Sequence, residues 1–96
     1  MSVSLPSRLK IADDLLATKL AEGEAALLDI QSGKYFALTP VAAWLWHKWT
    51  LNGSVADSID GLLQAYKVDR QTAEADVAEL IAELRLRNLV SIVESE

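Results

Sequence analysis

Leu27-Leu28-Asp29-Ile30-Gln31-Ser32-Gly33-Lys34-Tyr35-Phe36-Ala37-Leu38-Thr39-Pro40 is the stretch that decides how this chain folds. It reads as an apolar strand, a glycine turn, a second apolar strand and an abrupt helix start. Gln31-Ser32-Gly33 suits a short hairpin loop, with Gly33 in the left-handed conformation. Thr39 suits a helix N-cap, and Pro40 suits the first helical position, where its missing N–H costs nothing. Working upstream, residues 15–20 read as a first strand, and Glu22-Gly23-Glu24 as a tight turn into a second strand over residues 25–30. Residues 34–38 are then the third strand of an antiparallel meander. Its first and third strands are both edges, and a free edge accepts the backbone of another chain.

Downstream the period changes from two to 3.6 residues. Val41, Ala42, Leu45 and Trp49 share one face of a first helix that Asn52-Gly53 ends. Ser54-Val55-Ala56-Asp57 opens a second helix in the manner of a capping box, with Asp where Glu or Gln is usual. Its apolar face is Val55, Ile59, Leu62, Leu63 and Tyr66. Asp69 caps a third helix whose apolar face is Ala73, Val77, Leu80, Ile81 and Leu84. Running to about Arg87, it is about 27 Å long, enough to cross a small domain. Arg85 and Arg87 complement the dipole at its C-terminal end, and Asn88 closes it. Residues 89–93 read as a short final strand or an extended tail. The whole is an α+β domain of winged helix-turn-helix character, a three-stranded antiparallel sheet followed by three helices. Residues 1–13 read as a flexible N-terminal arm, and the domain occupies 14–93.

With 96 residues, 51% of them hydrophobic, the chain is sized for one domain with one modest core. It has no cysteine, which excludes disulfides, thiolate catalysis and Cys-based metal centres. No apolar run approaches the ~18 residues needed to span a membrane. Met1 to Pro6 lack a charged segment followed by an apolar one, so no signal peptide is evident and a cytoplasmic location is expected. The formal net charge of −5, with scattered basic residues, argues against nucleic acid as a partner and suits a basic or neutral peptide.

Little here suggests an enzyme or a cofactor. His47 is the single histidine, flanked by Trp46 and Lys48, and a packed or surface role is its ordinary explanation. Trp44 and Trp46 lie about 200° apart on the helix, so the tryptophans cannot all face one core. One is expected to be half-exposed, either covered by a long side chain or forming a contact surface. Glu74, Asp76, Glu79 and Glu83 mark a solvated helix face more readily than a paired-acid site. The four glycines are isolated, so there is no phosphate loop. The third strand is different. Tyr35 and Ala37 face one way, and Lys34, Phe36 and Leu38 the other. One set lines a groove between strand and helix, unless a terminus of the chain closes the edge.

The run from Leu27 to Thr39 resembles the LLDLxxGRYFxLN segment of PqqD-like proteins. Ala65-Tyr66-Lys67-Val68-Asp69, Ala75-Asp76-Val77 and Leu80-Ile81-Ala82-Glu83-Leu84-Arg85 resemble that family's A-x-Y-x-V-D … A-D-V … L-L-x-E-L-x-x-x-G-L helix. The likeness covers roughly residues 14–92 in the family's order and spacing. It implies a RiPP recognition element, a winged helix-turn-helix domain that binds the leader of a ribosomally made precursor peptide. The leader there pairs antiparallel with the third strand and packs on the third helix. Carried over, Lys34, Tyr35, Phe36, Ala37 and Leu38 supply the edge. Ala73, Asp76, Val77, Leu80 and Leu84 are the helix candidates, and Arg87 is placed to hold an acidic leader residue. Thr39-Pro40 and Asn88 depart from the usual Asn-Glu and Gly but keep the capping roles. The Asp-x-x-x-Gly-Lys-Tyr-Phe hairpin looks more like the stand-alone recognition proteins of lasso-peptide clusters, and of assorted PqqD-like clusters, than like the pyrroloquinoline quinone protein itself. The implied partners are the precursor peptide and a maturation enzyme such as a leader peptidase or a radical enzyme. Pairing with a sister chain fits the same edge. The alternatives are a winged-helix transcription factor, which the acidic third helix disfavours, and a peptide chaperone of pyrroloquinoline quinone biosynthesis.

Overall fold

The computed structural model describes residues 5–6 and 8–93. Among these residues five strands and three α-helices run in the order β1 (Arg8–Ile11), β2 (Leu15–Lys19), β3 (Ala25–Asp29), β4 (Tyr35–Leu38), α1 (Pro40–Asn52), α2 (Val55–Ala65), α3 (Arg70–Leu86) and β5 (Val90–Val93). β2, β3 and β4 form the expected antiparallel meander, with β3 in the centre. β1 and β5 form a second, two-stranded antiparallel sheet.

β1 corrects the sequence reading of residues 1–13 as a flexible arm. Leu9 is buried, its N–H donates to the Gly53 carbonyl at 2.9 Å, and Arg8 pairs with Val93 at the other end of the chain. A strand this short, with one buried side chain and a partner more than eighty residues away, leaves no local period to read. Residues 1–4 and 7 of that arm lie outside the described residues. The close approach also explains Gly53. It has φ +72°, and a Cβ there would sit 2.6 Å from the Leu9 carbonyl oxygen.

The helix starts form as their caps dictate. Thr39 Oγ1 accepts from the Ala42 N–H at 3.2 Å, Ser54 Oγ from the Asp57 N–H at 3.2 Å, and Asp69 Oδ1 from the Thr72 N–H at 3.1 Å. Asn88, with φ +59°, ends α3. The Asn88 N–H donates to Arg85 O and the Leu89 N–H to Leu84 O, the two bonds of a Schellman motif.

The core lies where the inner face of the meander meets the helices. Leu27, Leu38, Leu45, Trp49, Val55, Ile59, Leu62, Ala73, Val77 and Leu84 are all nearly inaccessible. Trp49 is held by a bond from Nε1 to Ser58 Oγ at 2.9 Å, and Ser58 Oγ donates to the Val55 carbonyl, so both buried polar groups are satisfied. Trp46 is buried as well, and Trp44 is the half-buried tryptophan. Lys48 Nζ stands 5.2 Å from the Trp44 ring centroid, and Tyr66 meets that ring edge-on at 6.1 Å. The long side chain therefore covers it, and His47 is exposed on the outer side of α1. Among the described residues no helix is long and apolar enough to cross a membrane.

Candidate functional site

The hairpin loop sets the hydrogen-bonding phase of β4. Asp29 Oδ1 accepts from the Gln31 N–H and Oδ2 from Ser32 Oγ, while Gly33, with φ +74°, turns the chain back. The Asp29 N–H then donates to Lys34 O at 2.9 Å, making this a hydrogen-bonded pair. Hydrogen-bonded and open pairs alternate along an antiparallel ladder. Phe36 and Leu38, opposite Leu27 and Ala25, therefore turn their main-chain groups toward β3. Tyr35 and Ala37 turn their N–H and C=O groups outward, and among the described residues no strand pairs with them. The described parts of both termini pair with each other instead.

Side chains follow the opposite rule. Tyr35 is 75% exposed on the outer face of the sheet, and Ala37 is exposed beside it. Phe36 and Leu38 point inward, and Phe36, only partly buried, forms the wall between two cavities that run along β4 and α3. One cavity of about 280 Å³ lies between the end of β4, the first turns of α1 and the middle of α3. Its lining includes Ala37, Val41, Ala42, Asp76, Glu79, Leu80 and Glu83. The other, about 410 Å³, lies between the hairpin loop and the end of α3, with Asp29, Ser32, Lys34, Tyr35, Leu86 and Arg87. Between them the Arg87 guanidinium lies 4.9 Å from the Phe36 ring centroid and 3.6 Å from Glu83 Oε2. Strand and helix thus make the two walls of one groove.

The structure divides the residues singled out from sequence. Lys34, Tyr35, Phe36, Ala37, Asp76, Leu80 and Arg87 line the groove. Leu38 lies on the same strand but is buried at 2% exposure. Ala73, Val77 and Leu84 are at 0% and face the core. The stripe that meets the groove is Asp76, Glu79/Leu80, Glu83 and Arg87, at steps of three and four residues. Glu79, Glu83, Leu86, Val41 and Ala42 also line the groove, and the sequence reading does not single them out for it. The signal was weak: Leu80 has Asp76 four residues before it and Glu83 three after it, but Ala73 and Ala82 are flanked by charge in the same way. Among the described residues no group of three or more His, Asp or Glu side chains is placed to hold a metal.

Residues 24–90 match the family described as coenzyme PQQ synthesis protein D (PqqD), and the chain belongs to that family. Two solved structures resemble it closely. TbiB1 in complex with the TbiA(beta) leader peptide superposes with a TM-score of 0.80 at 27% identity, over 90% of this chain and 99% of that one. Lasso peptide synthetase B1 complexed with the leader peptide superposes with a TM-score of 0.78 at 27% identity, over 88% and 99%. Among curated proteins, none matches the chain.

Proposed function

We propose that the chain is a non-catalytic adaptor that captures the leader segment of a ribosomally synthesised precursor peptide. The leader adds as a strand to β4, packs against α3, and is handed to a maturation enzyme such as a leader peptidase or a radical enzyme in the cytoplasm. The observation that carries this reading is the edge at Tyr35 and Ala37, which no strand among the described residues pairs, beside the two cavities. Main-chain bonds at an open edge give affinity, and pockets for alternate side chains give specificity. Two further points support it: the similar structures are both complexes with leader peptides, and they match this chain over nearly its whole length. In the same reading, α2 and α3 are the helix-turn-helix of a winged domain. The groove face of α3 is largely acidic, which disfavours a nucleic-acid partner.

The test is fluorescence polarisation with labelled leaders of precursors encoded beside this protein's gene. Roughly micromolar affinity is expected for a segment that orders on binding. No binding by any such leader would sink the adaptor reading. The open edge also favours one second arrangement, in which two copies pair β4 to β4. Sedimentation would then show a dimer that leader peptide dissociates.

A further inference from the structure

The two ends of the groove differ in charge, and the direction of β4 turns that difference into a specificity. The cavity at the C-terminal end of β4 has three carboxylates on its α3 side, Asp76, Glu79 and Glu83, and no cation in its lining. The cavity at the N-terminal end has Lys34 and Arg87. Its one carboxylate, Asp29, is already engaged by the Gln31 N–H and the Ser32 hydroxyl. Glu83 reaches back to Arg87 at 3.6 Å, so Asp76 and Glu79 are the acids at the far end with no ion pair among the described residues.

The hydrogen-bonding phase fixes which peptide positions see these charges. A strand added to β4 bonds to Tyr35 and Ala37. Residues opposite those two place their side chains on the outer sheet face with Tyr35. Residues opposite Leu38, Phe36 and Lys34 point into the groove, at positions i, i+2 and i+4 of the peptide. Antiparallel pairing is the commoner mode, and it runs the peptide from the Leu38 end toward the Lys34 end. Position i then enters the acidic cavity, i+2 meets Phe36 and Leu80, and i+4 meets Lys34 and Arg87.

We infer that the groove selects an extended segment of the form basic–x–apolar–x–acidic, read from N- to C-terminus. This rests on the strand-addition reading above and adds to it a polarity that the reading alone does not require.

Three labelled synthetic peptides separate the two claims: Thr-Thr-Lys-Val-Leu-Val-Glu-Thr-Thr, the charge-swapped Thr-Thr-Glu-Val-Leu-Val-Lys-Thr-Thr, and a neutral version with Gln at both positions. At low salt the first should bind about tenfold more tightly than the second, with the neutral peptide between them. The difference should shrink to about twofold at 0.5 M salt, where screening is strong. A double variant, Asp76→Lys with Glu79→Lys, changes only exposed positions and should reverse the order, with helix content checked by circular dichroism. Equal affinity for all three, or preference for the swapped peptide, overturns the polarity and leaves strand addition standing. Failure of all three to bind a folded protein overturns the polarity and counts against strand addition as well.

Discussion

The three-stranded sheet ends in two edges, β2 on one side and β4 on the other, and they differ in what stands beside them. The backbone phase is the same at both. Bonds from the Leu20 N–H to Glu24 O and from the Ile30 N–H to Asp14 O place Leu16 and Thr18 toward β3, and leave Leu15, Ala17 and Lys19 with outward main-chain groups. Ala17 on β2 is therefore the counterpart of Ala37 on β4. What β2 lacks, among the described residues, is a second wall. No cavity of the groove reaches it, four of its five residues are exposed, and Lys19 sits on it as a charge that discourages pairing. β4 has α3 alongside, with Leu80, Glu79 and Arg87 facing Phe36. An edge alone offers hydrogen bonds to any strand. An edge with a helix beside it also offers pockets, and so a reason to prefer one sequence.

The sharpest way to break this comparison is a matched pair of prolines. Proline is tolerated on an edge strand where the N–H it removes points to solvent. Ala37→Pro and Ala17→Pro each remove one outward donor and no bond of the ladder, so both proteins should fold. A leader that pairs with β4 loses a donor and meets the pyrrolidine ring, which should weaken binding about thirtyfold or more, given about 2 kcal/mol for an unmet buried acceptor. Ala17→Pro should bind as wild type. If fluorescence polarisation finds both unchanged, or the loss on β2, the groove has been assigned to the wrong edge.

A smaller effect separates groove walls from outer-face residues. Leu80→Ala trims the apolar patch between the charged ends and should cost about 1–2 kcal/mol of binding, with little change in melting temperature because the residue is only partly buried. Leu16→Ala, 53% exposed on β2, should change neither. In the core the order reverses. Leu84→Ala, at 0% exposure behind the same helix, should cost about 2–5 kcal/mol of stability and affect binding only through the folded fraction. Gly53→Ala tests what holds β1 beside β5 and away from either edge. Its Cβ would press on the Leu9 carbonyl, and the left-handed backbone adds strain, so about 1–3 kcal/mol of stability should be lost as β1 is displaced.

These contrasts also explain what the sequence revealed. The meander, the three caps and both helix ends were legible because each is written within a few residues: Gly33 in its turn, Thr39-Pro40 at one start, Asn88 at one stop. The edge itself was legible from the order of the strands. Two things were not. β1 and β5 are four residues each and pair from opposite ends of the described chain, so no local pattern marks β1 as a strand. The second concerns α3, which carries two stripes. Ala73, Val77, Ile81 and Leu84 form an unbroken apolar stripe, and that stripe is the core. Asp76, Leu80, Glu83 and Arg87 form a mixed stripe that looks like a solvated surface until β4 is set against it. Which stripe meets the strand is a fact of packing, and helical period alone assigns the binding role to the more apolar one.

The weakest expected effect tests whether the two edges also differ in their response to acid. α3 begins at Asp69, whose carboxylate accepts from the Thr72 side chain and N–H; these bonds hold its pKa below the ordinary value of 3.8. A carboxylate with a depressed folded pKa contributes stability that is present above its unfolded pKa and is lost as pH falls through the folded one. The contribution is therefore intact at neutral pH and fades only at strongly acid pH. Asp69 is fully exposed, so the effect is small. It acts on the first turn of α3, one wall of the groove, and on nothing beside β2. Amide exchange followed down to acid pH should show the first turn of α3 loosening before the β2–β3 ladder, and Asp69→Asn should remove part of that pH dependence while leaving the ladder unchanged. Simultaneous loosening of both regions, identical in the variant, would mean that the cap does not distinguish the helical wall from the hairpin.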